Sequence, residues 1–277
     1  MYKQFKIRLY IKLLNGSIFD VKDPLNYLFK ERRMRNIALL FILILIFNSP
    51  QFYSQVTLQV GGGLGYILPA GDYAGSTIDF YNGTKYGMSS GFNLHAKARV
   101  GLLGLNLFGM IDYSSISGDG ESELGQGKIE NSHSIFSLKA GPEFNLSIPL
   151  SPVGVYFDGF VSVNTFSGSV KFQGVSHVNS GDYDIKSETR FGVGAGGGVL
   201  LDILPVVTLD FGIHYNLYNL FGKNYSGVST SHERRDAYTA LNDDKDPLFQ
   251  QGDNEHIIGD SRTINAWQFT LTAMIGI

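Results

Sequence analysis

The feature that most constrains the fold of this chain is a two-residue alternation of apolar and polar side chains. It is clearest between Ser90 and Tyr113, where one parity is apolar and the other is largely polar, with Asn93, His95, Lys97 and Arg99 in its first half. Successive side chains of a β-strand point to opposite faces of the sheet, so this period predicts strands with one apolar and one polar face. The break at 101–103 predicts a short turn, and the stretch is therefore interpreted as a β-hairpin.

The same alternation recurs along the chain and predicts eight strands. Their approximate bounds are 56–68, 90–100, 105–113, 135–148, 153–166, 190–203, 207–217 and 264–277. The connections alternate strictly between long and short. The long polar connections are predicted at about 69–88, 117–131, 167–187 and 219–262. All long connections therefore fall at one end of the predicted sheet, and all short turns fall at the other end.

The beginning of the chain has the composition of a secretion signal. A basic run is followed by an apolar run at 37–47 and then by a proline. This run is about 11 residues long, shorter than the ~20 that a helix needs to span a bilayer. We predict a helical signal peptide at 34–54, with an uncleaved anchor as the alternative, and a mature domain at 55–277. Because Met34 alone begins a leader of normal form, residues 1–33 are predicted to be an untranslated upstream extension.

Charge and cysteine content exclude several classes of function. The whole chain has 22 basic and 25 acidic residues, of which nine and three precede residue 55, so the mature domain has 22 − 9 = 13 basic and 25 − 3 = 22 acidic residues. A net charge of −9 does not suit binding to nucleic acid, which depends on neutralising phosphates. The chain has no cysteine, which excludes disulfides and thiolate metal sites.

The two faces of the predicted sheet could be arranged in two ways. A soluble barrel would turn its apolar face inward around a ligand. Three features favour the opposite arrangement: the signal peptide, long connections at one end only, and a polar parity rich in glycine and poor in charge. We therefore predict an all-β fold, an eight-stranded antiparallel up-and-down transmembrane β-barrel whose apolar parity faces lipid.

Charged side chains on the inner parity of such a barrel need partners. We predict a polar network in the lumen made of His95, Lys97, Arg99, Asp112, Lys139, Glu143, Asp158, Arg190, Asp210 and His214. Four cations face four carboxylates, which predicts a near-neutral network rather than a selective pore. Asp202 lies near the short-turn end and is expected to be solvated.

The chain resembles the small eight-stranded outer-membrane β-barrels of the OmpA/OmpX type. The resemblance rests on the leader, the alternating strands and the terminal strand from Trp267, which differs from the usual pattern by ending in Ile277 rather than an aromatic residue. It implies a location in the bacterial outer membrane, contact with outer-membrane lipid, and recognition by the barrel-assembly machinery. It identifies architecture better than function, because such barrels serve adhesive, protective, anchoring and enzymatic roles.

The resulting functional hypothesis is a non-enzymatic barrel with a plugged polar lumen, whose long external loops serve surface interaction or membrane integrity. These loops could contact an external ligand or a host surface. A small pore or transport protein and a lipid-modifying enzyme are the alternatives, the latter because His95, His133 and His214 accompany several serines. No cofactor or metal is predicted. The oxygen-rich spacing of Asn242, Asp244 and Asp246 makes these residues weak candidates for calcium binding, against the simpler interpretation of a solvated acidic loop.

Overall fold

The computed structural model describes residues 57–102, 104–147, 151–227 and 231–276. The predictions for residues 1–54 lie outside this range. The strands are β1 (Thr57–Ala70), β2 (Ser90–Leu102), β3 (Leu105–Glu123), β4 (Gln126–Ser147), β5 (Val153–Gln173), β6 (Gly181–Leu204), β7 (Val207–Phe221) and β8 (Asn265–Gly276). Each pairs antiparallel with its neighbour in sequence, and β8 pairs with β1 to close the sheet. The predicted eight-stranded antiparallel barrel is confirmed.

The outside of the barrel carries a belt of large apolar side chains contributed by every strand. Leu107 is 59% exposed, Phe157 61% and Val161 65%. In each strand these residues occupy the parity that the sequence predicted to face lipid, while the polar parity is buried in the lumen. A closed sheet has no unpaired edge, so it satisfies its backbone in hydrocarbon. Among the described residues, no helix is both long and apolar enough to cross a bilayer.

Two of the predicted polar connections are not loops. β3 and β4 continue as a paired ribbon until only Leu124 and Gly125 join them, and β5 and β6 continue until only 174–180 join them. The predictions of long connections at 117–131 and 167–187 are therefore wrong. Serine, glycine and charged residues dominate the sequence there, but outward and inward positions still alternate and pair in register, with buried Ile129, Val170 and Phe172 on the inner face.

The strands change the sense of their alternation where they leave the belt. On β3 the outward side chains change from apolar Tyr113 to polar Ser115, while the inward side chains change from Asp112 to Ile116. β4 makes the same change at the paired positions. An outer surface that becomes polar while the inner surface becomes apolar is what a strand requires when it passes from lipid into water. The inversion therefore marks the outer boundary of the belt.

Two segments, the described parts of 71–89 and 222–264, pack into the barrel end beyond this boundary, and we call them the cap. The first includes a short helix, α1 (Thr77–Tyr81), whose start is fixed by a capping box between Ser76 and Asp79. A fully buried apolar layer joins the cap to the inner face of the strands. Its members are Ile67, Tyr73, Tyr86, Met88, Ile116, Ile135, Phe166, Tyr218, Leu241, Ile264 and Ala266.

A second apolar cluster lies between the cap and the outer ends of β4 and β5. It contains Phe80, Tyr81, Ile129, Val170, Phe172, Val175, Val178, Ala237, Tyr238, Ile257 and Ile258. A 3₁₀ turn at Arg234–Ala237 contributes to it. The lumen ion pairs thus lie inside the belt, and two apolar clusters fill the barrel end beyond it.

Candidate functional site

The centre of the lumen is an ion-paired cluster of two cations and two carboxylates. Lys97 Nζ lies 3.0 Å from Glu143 Oε2 and 2.8 Å from Asp210 Oδ2. Arg99 contacts the same two carboxylates, at 2.6 Å from Nε to Glu143 Oε1 and 2.8 Å from Nη2 to Asp210 Oδ2. Tyr156 donates its hydroxyl to Asp210 at 2.8 Å. All five side chains are buried, so their charges and polar atoms depend on one another.

A second pair lies beside this cluster. Lys139 Nζ is 3.0 Å from Asp112 Oδ2 and donates to Gln268 Oε1 at 2.7 Å, while Gln268 donates its own amide to Asp112 at 2.6 Å. His214 Nε2 lies 2.9 Å from Asp158 Oδ2. The structure therefore brings together Lys97, Arg99, Lys139, Asp112, Glu143 and Asp210 in two clusters, and places the predicted His214 and Asp158 together as a pair.

The contacts of the central cluster join strands that are not neighbours in the sheet. Lys97 and Arg99 are two residues apart on β2, so both point inward, and their partners Glu143 and Asp210 come from β4 and β7. The ammonium group of Lys97 also lies 4.6 Å from the centre of the Tyr156 ring. The alternation of each strand selects which side chains enter the lumen, and closure of the barrel sets them opposite one another.

Arg190 lies apart from the lumen clusters. Its Nε donates to Asp243 Oδ2 at 2.9 Å, its Nη2 lies 2.8 Å from Asp243 Oδ1, and its guanidinium also contacts Glu188 and Asn224. Arg190 opposes Asn164 at the cap end of the sheet, and its ion pairs are with Glu188 and Asp243 rather than with the predicted carboxylates. The described lumen clusters thus contain three cations rather than the predicted four, and Arg190 instead ties β6 to the cap.

His95 has two well-formed hydrogen bonds in the lumen. Its Nδ1 lies 2.8 Å from Asn93 Oδ1, and its Nε2 lies 2.8 Å from Thr272 Oγ1. This order of hydroxyl, imidazole and amide resembles a nucleophile triad in outline. Thr272, however, is only 1% exposed and faces the barrel interior.

His133 lies in the apolar layer under the cap, where its Nδ1 is 3.4 Å from the Tyr73 hydroxyl. Burial, with a smaller effect of Arg262, lowers the pKa of His133 to about 3. The ring is therefore neutral at physiological pH and acts as a packing and hydrogen-bonding group.

The predicted calcium candidates have separate partners. Asn242 accepts from Ser226 N at 2.8 Å and donates to Ala237 O at 3.0 Å, in a left-handed conformation with φ of 43°. Asp244 accepts from the adjacent Lys245 N, whereas Asp246 accepts from His256. The expectation of a solvated acidic loop is wrong for this segment, because Asn242, Asp243 and Asp246 are all 0% exposed. Instead of water, their oxygens accept hydrogen bonds from backbone amides, from Arg190 and from His256.

Several polar residues of these networks were not predicted as site residues. Tyr156 and Gln268 lie on the polar parity of their strands, so the alternation predicts that both face the lumen. Arg262 has no such pattern, since it lies in a long connection. It donates to Asn242 O at 2.7 Å and lies 4.2 Å from the centre of the Tyr86 ring, which fixes one cap segment to the other.

Comparisons with known proteins give structural likeness only. No family model and no curated protein matches the chain. Neisserial surface protein A is 16% identical, with a TM-score of 0.40 over 80% of this chain and 96% of its own. Ail, the attachment invasion locus protein of Yersinia pestis, solved with the heparin analogue sucrose octasulfate, is 12% identical, with a TM-score of 0.35 over 80% and 97%.

A major outer membrane protein from Thermus thermophilus is 16% identical, with a TM-score of 0.45 over 80% of this chain and all of its own. At these identities and TM-scores no function is transferred. The barrel itself identifies the compartment, because a closed sheet with an outward apolar belt is the form in which β-strands span the bacterial outer membrane. The chain is an integral outer-membrane β-barrel.

Proposed function

We propose that this protein is a non-enzymatic, non-conducting outer-membrane barrel that acts through its external end, in surface interaction or membrane integrity. One observation carries the proposal: the lumen is crossed by buried ion pairs and, beyond them, by the apolar layer beneath the cap. Outer-membrane lipid and, during biogenesis, the barrel-assembly machinery are the partners that such a barrel requires.

The lumen network fits a plug better than a pore. The interior of an eight-stranded barrel is just wide enough for side chains to fill it. Here Lys97 and Arg99 reach carboxylates on β4 and β7, and rings of Phe108, Tyr156 and Phe160 lie among the cations. An ion crossing the barrel would have to separate these pairs and then enter an apolar layer, which costs several kcal/mol per buried charge.

Conductance in a planar lipid bilayer tests this plug. The purified, refolded chain is expected to give no steady current step under conditions where a general porin, as the positive control, gives regular steps. Steady single-channel steps that scale with the amount of folded protein would support the pore alternative and exclude the plug. The folded fraction is measured in parallel by heat-modifiable migration on a gel.

Of the three histidines behind the enzyme alternative, His95, His133 and His214, only the contacts of His95 with Asn93 and Thr272 resemble a triad. A nucleophile must reach its substrate, and Thr272 lies inside the barrel rather than on its lipid face. We expect no release of fatty acid from phospholipid or lipopolysaccharide vesicles and no labelling by a fluorophosphonate. Hydrolysis that disappears in folded Thr272→Val would overturn the non-enzymatic assignment.

The ribbon of β3 to β6 beyond the belt is the surface best placed for an external partner. Its outward side chains include six carboxylates, Asp119, Glu121, Glu123, Glu130, Asp182 and Asp184, and three lysines, Lys128, Lys171 and Lys186. This acidic surface favours a basic or neutral partner over a polyanionic glycan.

A charge-neutralised variant tests this surface. In whole-cell adhesion to a panel of extracellular proteins, Asp119→Asn combined with Glu121→Gln and Glu123→Gln is expected to fold normally and to lose adhesion to any basic protein that the parent binds. Asp202→Asn, at the opposite end of the barrel, is the control. Equal adhesion by parent and variant would exclude a role for this surface in binding.

A further inference from the structure

The cap contains a second group of buried, chemistry-bearing side chains that the lumen network does not use. His232, Asp246 and His256 come from separate parts of the 222–264 segment, and one potential ligand atom from each lies within 4.8 Å of the other two. All three are buried, Asp246 completely. Burying two imidazoles and a carboxylate costs free energy unless these groups have binding partners.

The contacts show which atoms face one another. His256 Nδ1 lies 2.7 Å from Asp246 Oδ2, and the rings of His232 and His256 stack with centres 4.9 Å apart. Tyr225 lies 3.2 Å from His232 Nε2 through its hydroxyl, which also bonds Asp246. The Nε2 atom of His232 therefore faces the same small space as Asp246 Oδ2 and His256 Nδ1.

The donor set selects the class of ion. Imidazole nitrogen suits zinc, copper, nickel and iron, whereas calcium requires six to eight oxygens. Ligands about 2.0–2.2 Å from a tetrahedral ion lie about 3.3–3.6 Å from one another. Small side-chain movements would bring the three atoms to that spacing, opening the bond between Asp246 and His256 and shortening the other separations. A fourth position would remain for water or for the Tyr225 hydroxyl.

The surroundings orient these side chains as outer groups do in metal sites. Leu248 N donates to Asp246 Oδ1 at 2.8 Å, which leaves Oδ2 directed at the imidazoles. Asp236 Oδ2 lies 3.7 Å from His232 Nδ1, the ring nitrogen turned away from the cluster. A cavity of about 250 Å³ is lined in part by His232 and Asp236, so it meets the His232 ring on the side of Asp236.

We propose that His232, Asp246 and His256 bind one divalent transition-metal ion of the zinc class. The ion cross-links three points of the longest external connection and so stiffens the cap over the barrel. Closing a long loop in this way removes conformations from its open state. The site is independent of the plug, since it shares no residue with the lumen clusters.

Metal binding to the full, refolded chain in detergent tests the proposal. After treatment with a chelator and confirmation of folding by heat-modifiable migration, the protein is titrated with Zn²⁺ by calorimetry and with Co²⁺ by visible absorption. We expect one ion per chain, with the intense d–d bands of a four- or five-coordinate cobalt site. Zinc should also slow proteolytic cutting within 231–264, and a chelator should restore it.

Matched variants locate the site. His232→Ala and His256→Ala are each expected to weaken binding by at least about tenfold, the scale seen even for outer groups of metal sites. His177→Asn removes an exposed histidine from another connection while keeping a residue that tolerates its positive φ, and should bind like the parent. Absence of stoichiometric binding by the folded parent, equal binding by both folded alanine variants, or loss of binding in His177→Asn would overturn the proposal.

Discussion

The barrel within the belt and the barrel beneath the cap are made from the same strands, yet they are organised in opposite ways. Within the belt, apolar side chains face out and Lys97, Arg99 and Glu143 face in. Beyond it, Ser115 faces out and Ile116 faces in. The barrel therefore buries polar side chains within the belt and apolar side chains beyond it, because the outer medium changes from lipid to water along each strand.

This difference separates the forces that stabilise each region. Outward leucines contribute by moving from water into lipid rather than by packing on one another, so inside the belt region the strands are held by the closed backbone ladder and the lumen ion pairs. The capped region resembles a soluble protein, with a core of buried aromatic and aliphatic side chains. Substitutions should therefore have opposite consequences at matched positions of the two regions.

The largest effect is expected from breaking an ion pair in the lumen. Asp210→Asn removes a carboxylate that contacts both Lys97 and Arg99, leaving two buried cations with Glu143 alone. Loss of one partner from a buried pair costs about 3–5 kcal/mol. The free energy of unfolding, measured by urea titration in lipid vesicles, should fall by that amount.

The control is Glu130→Gln, which disrupts ion pairs on the exposed ribbon, where Glu130 lies 2.9 Å from Lys128. Surface pairs contribute little, so its unfolding curve should overlay that of the parent. Equal losses in the two variants would mean that the lumen pairs are solvated.

A cavity in the apolar layer should loosen the cap without opening the barrel. Ile116→Ala removes a 1% exposed side chain and is expected to cost about 2–5 kcal/mol. Hydrogen exchange should increase in 71–89 and 231–264 while the strands within the belt stay protected. Ser115→Ala, the adjacent outward residue, is the control and should exchange like the parent. Uniform exchange throughout the barrel in Ile116→Ala would contradict a separate cap region.

Charge on the outer face should discriminate the two regions directly. Leu107→Arg places a cation in the belt, where the cost of a charge rises to about 2–4 kcal/mol at the bilayer midplane, and should reduce the folded fraction on a gel. Ser117→Arg places the same cation on the same face of β3 beyond the boundary, where Ser117 is exposed to water, and should assemble normally. The reverse result would mean that the assignment of faces is inverted.

Acid should act on the cap first. Burial lowers the pKa of His133 from 6.5 to about 3. Between these two pH values His133 is therefore protonated in the unfolded chain and neutral in the folded chain. Stability from this group is complete above about pH 6.5 and is lost as the pH falls toward 3, by roughly 2 kcal/mol between pH 7 and pH 5. Proteolysis of the cap should quicken over that interval in the parent and change less in His133→Gln. An identical pH dependence in both proteins would exclude His133 as its source.

The sequence predicted the eight strands, the closed barrel and its lipid face, because one rule of alternation covers all three. It failed for the outer ends of β3 to β6, where the alternation continues but its sense inverts. Following the apolar parity of Tyr113 leads to Ser115 and suggests that the strand has ended, whereas Ile116 on the other parity continues it. Only the register between strands shows this.

The charged sites divide in the same way. The parity of the strands alone predicted that Lys97, Arg99 and Lys139 face the lumen. The partner of Arg190, Asp243, is 53 residues away in a connection without periodicity. The residues His232, Asp246 and His256 likewise have no regular spacing in the sequence from which their cluster could be predicted. Contacts between long connections depend on the tertiary arrangement of the cap, which local patterns do not encode.

The hairpin tip between β3 and β4 stands at the end of the ribbon, about 25 Å of strand beyond the belt. Leu124 there is 89% exposed, and nothing lies within 4 Å of the position that a side chain at Gly125 would occupy. A foreign peptide grafted between these two residues would meet neither lipid nor the cap. The barrel thus offers a scaffold for displaying a peptide at this tip.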